Sequence, residues 1–370
     1  MTAAAPRVVI AGGWTGGHLF CALAIAEALR RRDPATQLVL VGARGGREEG
    51  LIRAAGFPVE TVVAAPLARG RSLSALAQNG LLPLKLAAGG VQALRLLRSF
   101  RPDVVVGVGA YVSVPVVAMA QALRIPTLLH EANAQPGMAN RLLARGAAVV
   151  CVGGEPAVAA FARAARVVVT GNPVRPAVAS AVPWAAAARA RLGLDPARTT
   201  LLITGGSLGS ARLNDWVLAH AAELTCDGAQ VLWQCGSAHL AACQRRLGDA
   251  ANLRLAPFLD DMATAYGAVD LVVAGAGAST IAELACLRKA AVFVPDPGVT
   301  EDHQTRNAEA LRAAGASICD DASLGEGLVR QVRALLADAQ QRRALGERLA
   351  LLARPDAADV VAAEVVRLIS

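Results

Sequence analysis

A chain of 370 residues, 54% hydrophobic and only 18% charged, is too apolar for disorder and long enough for about two domains of roughly 100–200 residues each. Aromatics make up just 3%, and the apolar mass is mainly Ala, Leu and Val, which suits helices packed on parallel strands better than a sandwich. The net charge of +8 is almost wholly arginine, since lysine occurs only at Lys85 and Lys289. Such an excess suits an anionic lipid or a phosphorylated substrate, or simply coats an ordinary solvated surface. No compact basic run interleaves with aromatics, so no nucleic acid is expected as a partner.

In chain order, apolar strand-like runs alternate with longer amphipathic stretches. The first half predicts strands at Arg7–Ile10, Gln37–Val41, Val59–Val63, Val104–Gly107, Thr127–His130 and Val149–Val152. Helical patterns such as Leu19–Arg31 and Val91–Phe100 lie between them. Val104–Ala120 is uncharged, but Gly107, Gly109, Ser113 and Pro115 break it, and it falls short of the roughly 18 residues of a spanning helix. It reads as a buried strand–turn–helix unit. Gly171–Pro176 and the Ala/Pro stretch to Pro183 read as an interdomain linker.

The second half repeats the grammar, with strands at Thr200–Thr204, Ala229–Gln234, Leu253–Leu255, Leu271–Val273 and Ala291–Val294 and a helix from about Ala211. Beyond Leu324 the pattern is helical, and Pro355 precedes a last helix at Asp356–Ile369. Both halves open alike: Val8-Val9-Ile10-Ala11-Gly12-Gly13 matches Leu201-Leu202-Ile203-Thr204-Gly205-Gly206. The expected fold is α/β, two Rossmann-like doubly wound parallel-sheet domains facing a cleft. The expected boundaries are 1–172 and 173–350, with 351–370 as a helix packing back toward the first domain. Seven cysteines, an odd number without C-x-x-C pairs or a preceding signal-peptide pattern, predict reduced thiols in a cytoplasmic protein and no metal site.

Five constellations carry chemistry. Gly12-Gly13-Trp14-Thr15-Gly16-Gly17-His18 offers close backbone approach and a helix N-terminus for anionic or polar groups. It does not spell G-x-G-x-x-G, and the second strand ends in Val41-Gly42-Ala43-Arg44 without an acid, which argues against NAD. His18 at that helix start is either a structural histidine or a general base titrating near neutrality. Gly277–Glu283 offers a second helix N-terminus, with Glu283 placed to accept a ribose's hydroxyls. Thr280-x-x-Glu283 reads equally as a capping box. Gly205-Gly206-Ser207-Leu208-Gly209 is a weaker phosphate-loop signal. His130-Glu131-Ala132-Asn133 ends an apolar strand, where His130 could simply satisfy buried hydrogen bonds. Asp302–Asn307 reads as a polar loop after a strand.

In this order and spacing the blocks resemble the MurG family, the UDP-N-acetylglucosamine:lipid I N-acetylglucosaminyltransferases of peptidoglycan synthesis. Gly13–His18 echoes the family's G-G-T-G-G-H, and Gly109-Ala110-Tyr111-Val112-Ser113-Val114-Pro115 its glycine-tyrosine block. His130–Asn133 is similar to its H-E-Q-N, followed by Pro136–Asn140. Gly171-Asn172-Pro173-Val174-Arg175, Phe258-Leu259-Asp260-Asp261-Met262, Glu283 and His303-Gln304-x-x-Asn307 match intact. The chain departs where Trp14 enters the glycine loop, and at Cys21, Ala110, Ala132, Leu208 and Gly275-Ala276.

The resemblance implies a GT-B fold and an inverting transfer to the 4-hydroxyl of the lipid I muramyl sugar, with His18 as catalytic base. It implies that UDP-GlcNAc is bound through Thr15, Gly16, Gly17, Asn133, Arg175, Ser207, Leu259, the run Ala278, Ser279, Thr280, Ile281, Ala282 and Glu283, and Gln304. Among these, Leu259 would take the uracil through its backbone, Glu283 the ribose and Gln304 with Asn133 the sugar. Arg175 would neutralise charge. UDP-GlcNAc is then a substrate, and neither a cofactor nor a tightly bound metal is expected. The lipid I acceptor places the chain at the cytoplasmic face of the bacterial inner membrane. Leu81–Phe100, leucines mixed with Lys85, Arg95 and Arg98, suits an anionic bilayer or, alternatively, a packed core helix. The alternatives are a UDP-sugar transferase with another acceptor, or a non-catalytic paralogue that binds UDP-sugar.

Overall fold

The computed structural model describes residues 5–13, 16–46, 48–65, 77, 79–180, 185–248, 250, 252–298, 302–320 and 323–369. The chain divides into two compact units, Met1–Arg175 with Asp356–Ser370, and Pro176–Pro355.

The first unit holds β1 (Arg7–Ala11), β2 (Gln37–Ala43), β3 (Val59–Val62), β4 (Val104–Gly107), β5 (Thr127–Glu131), β6 (Val149–Val152) and β7 (Val167–Val169). They form one sheet in the order β3-β2-β1-β4-β5-β6-β7, with every neighbouring pair parallel. Strands buried on both faces need no polar alternation, and Val104-Val105-Val106 and Val149-Val150-Cys151-Val152 have none. Helices cover both faces, so alternate strand residues fall into two cores. Val8, Ile10 and Val106 pack with Leu19–Leu29, while Val9, Ala11 and Val105 pack with Val112, Val116 and Val117.

The helix Ala357–Arg367 belongs to this unit. Its Ala358, Val361, Ala362 and Val365 share the core of helix Gly16–Arg32. Arg166 grips the buried Glu364 through two bonds of 2.8 and 3.1 Å, and Arg31 reaches Asp359 at 2.8 Å. A bidentate guanidinium–carboxylate pair fixes orientation as well as adding energy.

The second unit holds β8 (Thr200–Thr204), β9 (Gln230–Gln234), β10 (Leu253–Ala256), β11 (Leu271–Ala274), β12 (Ala291–Phe293) and β13 (Ser317–Ile318). Their order is β10-β9-β8-β11-β12-β13, again parallel throughout. In both sheets the first strand is flanked on opposite sides by the second and fourth of its unit. The crevice beyond the carboxyl ends of that strand and the fourth is where such sheets receive ligands. Those ends are Gly12-Gly13 and Val108-Gly109 in the first unit, Gly205-Gly206 and Gly275–Gly277 in the second.

Two strands go beyond the sequence expectation, β7 and β13. The first helix starts at Gly16, ahead of the expected Leu19, which puts His18 inside its first turn. The expected loop at Asp302–Asn307 is helical from His303 to Ala313. Gln304, Asn307 and Leu311 recur on one face there, and hydrogen bonds hold much of that face in place of apolar contact.

Candidate functional site

In the first unit, neighbouring side chains crowd the two glycines that follow β1. A methyl group on Gly12 would stand 2.0 Å from Val108 Cγ2, and one on Gly13 2.7 Å from Glu48 Oε1. Glu48 is buried and accepts from the Ala43 amide at 3.0 Å. Gly16, Gly17 and His18 form the first turn of the helix, and His18 is half-buried. Trp14 and Thr15 lie outside the described residues. The His18 imidazole rests against Gly109, whose φ is +89°. A methyl there would meet His18 Cδ2 at 2.9 Å, Nε2 at 3.0 Å and Asn140 Nδ2 at 3.5 Å.

β5 delivers His130 and Glu131 beside this turn. His130 is fully buried and its Nε2 lies 3.2 Å from the Gly171 carbonyl, so that nitrogen carries the proton. Burial holds its pKa down at about 4. Buried and neutral, His130 braces the Gly171 turn through Nε2. Glu131 is also buried. It accepts from Asn133 N at 3.0 Å, Asn133 Nδ2 at 3.3 Å, Gly137 N at 3.0 Å and Asn140 Nδ2 at 2.9 Å. Burial raises the Glu131 carboxyl, and these donors oppose the rise. One carboxylate therefore folds the segment carrying Asn133 and places Asn140 near His18.

Asn172 Nδ2 donates to the Ala132 carbonyl at 3.0 Å, which ties the turn back to β5. Arg175 follows, its guanidinium carbon 4.2 Å from the centre of the Phe20 ring. The Cys21 thiol faces the Pro173 carbonyl at 3.8 Å. The helix whose first turn holds His18 thus also supports Arg175, through Phe20 on its next turn. Arg175 Nε is buried and meets no hydrogen-bond partner among the described residues.

In the second unit, Gly205-Gly206-Ser207 leaves β8 in a tight turn with Gly206 at φ +82°. Thr204 Oγ1 accepts from the Gly206 amide at 3.1 Å. Helix Ala278–Cys286 begins at Gly277, which caps it without a side chain. Ala278, Ser279 and Thr280 are therefore its first turn. Thr280 cannot be the N-cap, and the capping-box alternative fails. Glu283 lies one turn further in, with Ile281 and Ala282 before it; it is 7% exposed and accepts from the Tyr266 hydroxyl at 2.9 Å. Gln304 Oε1 accepts from the Ala276 amide at 3.0 Å and the Asp296 amide at 3.1 Å. A methyl on Gly275 would meet that oxygen at 3.0 Å, so Gly275 leaves room for the Gln304 amide. Asn307 Nδ2 donates to the Ala276 carbonyl at 3.0 Å. The Leu259 amide donates to Gln234 Oε1 at 2.9 Å.

Two family models match the chain. The glycosyltransferase family 28 N-terminal domain spans residues 8–152 and the C-terminal domain of the same family residues 200–361. The chain is 36% identical over 366 residues to a protein of Phocaeicola vulgatus, covering 98% of this chain and 96% of that one. A protein of Chlorobium luteolum is 39% identical over 366 residues, with 98% and 99% covered. Both are named UDP-N-acetylglucosamine--N-acetylmuramyl-(pentapeptide) pyrophosphoryl-undecaprenol N-acetylglucosamine transferase. The crystal structure of Acinetobacter baumannii MurG aligns with a TM-score of 0.70 at 30% identity, covering 98% of this chain and 99% of that one. The chain belongs to the MurG family.

A MurG-family chain is a glycosyltransferase of GT-B type, and both parallel sheets conform. The structure gathers the expected residues into two groups. Gly16, Gly17, His18, Asn133 and Arg175 lie in the first unit, and Ser207, Leu259, Ala278–Glu283 and Gln304 in the second. Sequence reasoning missed Phe20, Tyr266 and Gln234. Phe20 lies two residues from His18, a signal available in hindsight. Tyr266 and Gln234 sit among apolar residues of a helix and a strand and read as core.

Proposed function

We propose that this chain transfers N-acetylglucosamine from UDP-GlcNAc to the 4-hydroxyl of the muramyl sugar of lipid I, inverting the anomeric centre and giving lipid II. The observation that carries the reading is the half-buried His18 imidazole held against Gly109 in a chain similar to named transferases of this kind over nearly its whole length. His18 accepts the proton of the attacking hydroxyl as that oxygen bonds to C1 and the bond from C1 to the UDP oxygen breaks. A positioned base of this type contributes about 10²–10⁴-fold. The leaving diphosphate is stabilised by the glycine turn at Ser207 and the first turn Ala278–Thr280, where backbone N–H groups and the helix dipole favour negative charge. Arg175 adds charge, Glu283 takes the ribose hydroxyls, the Leu259 backbone the uracil, and Gln304 with Asn133 the sugar.

The acceptor is lipid-linked, and the helix Leu82–Phe100 suits a bilayer surface. Its Gly89, Ala93 and Leu97 pack inward, whereas Leu81, Leu84, Leu86 and Val91 are exposed near Lys85. Exposed leucines beside a basic residue suit shallow insertion among anionic lipids. Among the described residues no helix is long and apolar enough to cross a membrane. The proposed site of action is the cytoplasmic face of the inner membrane, in peptidoglycan synthesis and hence in cell shape and division.

Incubating the purified chain with UDP-GlcNAc and lipid I tests the reading. Release of UDP together with lipid II supports it. UDP binding without turnover would show a binding protein in place of an enzyme.

A further inference from the structure

One buried amide in the second unit touches both segments assigned above to the nucleotide. Gln234 is the last residue of β9 and is 3% exposed. Register places it between Thr204 of β8, which leads into the glycine turn, and Ala256 of β10, which leads to Phe258-Leu259. Its Nε2 donates to Thr204 Oγ1 at 3.1 Å and to the Gly206 carbonyl at 2.8 Å. Its Oε1 accepts from the Leu259 amide at 2.9 Å. The donor end of the amide is fixed to the turn, and the acceptor end to the segment across β9.

A buried polar group must be bonded or it costs stability, and a strand end needs only an apolar residue here. Glutamine is the one residue type of this length that donates at one end and accepts at the other without charge. Glutamate would lack the donor, and asparagine would fall one methylene short. We infer that Gln234 is a positioning residue that locks the diphosphate turn Gly205–Ser207 to the base-side segment Phe258–Leu259, so that the two ends of the nucleotide are held at a fixed spacing. This rests on the reading of the second unit as the donor site. Pre-set spacing matters because ordering loops on binding would otherwise consume affinity.

The test is titration of UDP and of uridine into the wild type, Gln234→Glu, Gln234→Met and Glu283→Ala, with donor kinetics alongside. Gln234→Glu keeps the acceptor for Leu259 and loses the donor to the turn. It is expected to weaken UDP by about tenfold and uridine by less than about threefold. Gln234→Met loses both ends and is expected to weaken both ligands. Both variants should raise KM for UDP-GlcNAc more than they lower kcat, since the residue acts on ground-state placement. Should Gln234→Met fail to fold, Gln234→Asn keeps the amide but falls one methylene short of both ends, and the same weakening of UDP and uridine is expected. If Glu283→Ala weakens UDP but the Gln234 variants bind it like the wild type, this inference fails alone. Equal losses of UDP and uridine in Gln234→Glu would also overturn it. If Glu283→Ala itself leaves UDP binding unchanged, the donor-site reading fails.

Discussion

The His18 ring lies so close to Gly109 that one added methyl would stand 2.9 Å from Cδ2 and 3.0 Å from Nε2. Gly109 also holds φ at +89°, where side chains are rarely tolerated. Gly109→Ala therefore has two expected costs. Backbone strain should lower stability by about 1–3 kcal/mol in urea unfolding. The displaced imidazole should lower kcat steeply while UDP binding holds. A loss of UDP affinity as large as the loss of kcat would show that Gly109 serves the fold alone.

His130 gives a pH prediction. Its folded-state pKa of about 4 lies below the ordinary 6.5 because burial disfavours the imidazolium. The unfolded chain therefore binds this proton first, and stability falls as pH drops from about 6.5 toward 4. The full contribution is about 3 kcal/mol. His130→Gln keeps a donor for the Gly171 carbonyl and removes the titration. The stability difference between the two proteins should shift with pH across that window in the variant's favour. Glu131, which burial pushes the other way, is common to both proteins and cancels. A difference that stays constant from pH 7 to pH 4.5 would contradict the buried neutral imidazole.

Tyr266 and Glu283 form a buried pair at 2.9 Å. Tyr266→Phe removes one donor to the carboxylate and should cost about 1–2 kcal/mol of stability and weaken UDP severalfold. Glu283→Ala should weaken UDP more, because the proposed ribose contact itself is lost. Titration calorimetry on both variants checks the order. Tyr266→Phe weakening UDP more than Glu283→Ala would contradict Glu283 as the ribose ligand.

The strands were legible wherever they were unbroken runs of Val, Ile and Leu, since a parallel strand buried on both faces leaves no other pattern. β7, Val167–Val169, is a valine run too, but three partly exposed residues at a sheet edge make too short a signal, and β13, Ser317–Ile318, is a two-residue edge strand that no pattern marks. Glu283 stayed ambiguous because a capping box and a ligand-facing carboxylate share one spacing. The helix start at Gly277 removes the capping box. The helix His303–Ala313 escaped because Gln304 and Asn307 are held by hydrogen bonds, which leave no apolar period. Gln234 was invisible for the opposite reason, a polar residue ending an apolar strand with its partners Leu259 and Gly206 far along the chain.

The most direct measurement is the turnover and UDP affinity of His18→Ala. The account predicts that lipid II formation falls by about 10²–10⁴-fold while the Kd for UDP stays within about threefold of the wild type. Turnover retained near the wild-type rate, or a loss of UDP binding that matches the loss of rate, would contradict His18 as the base.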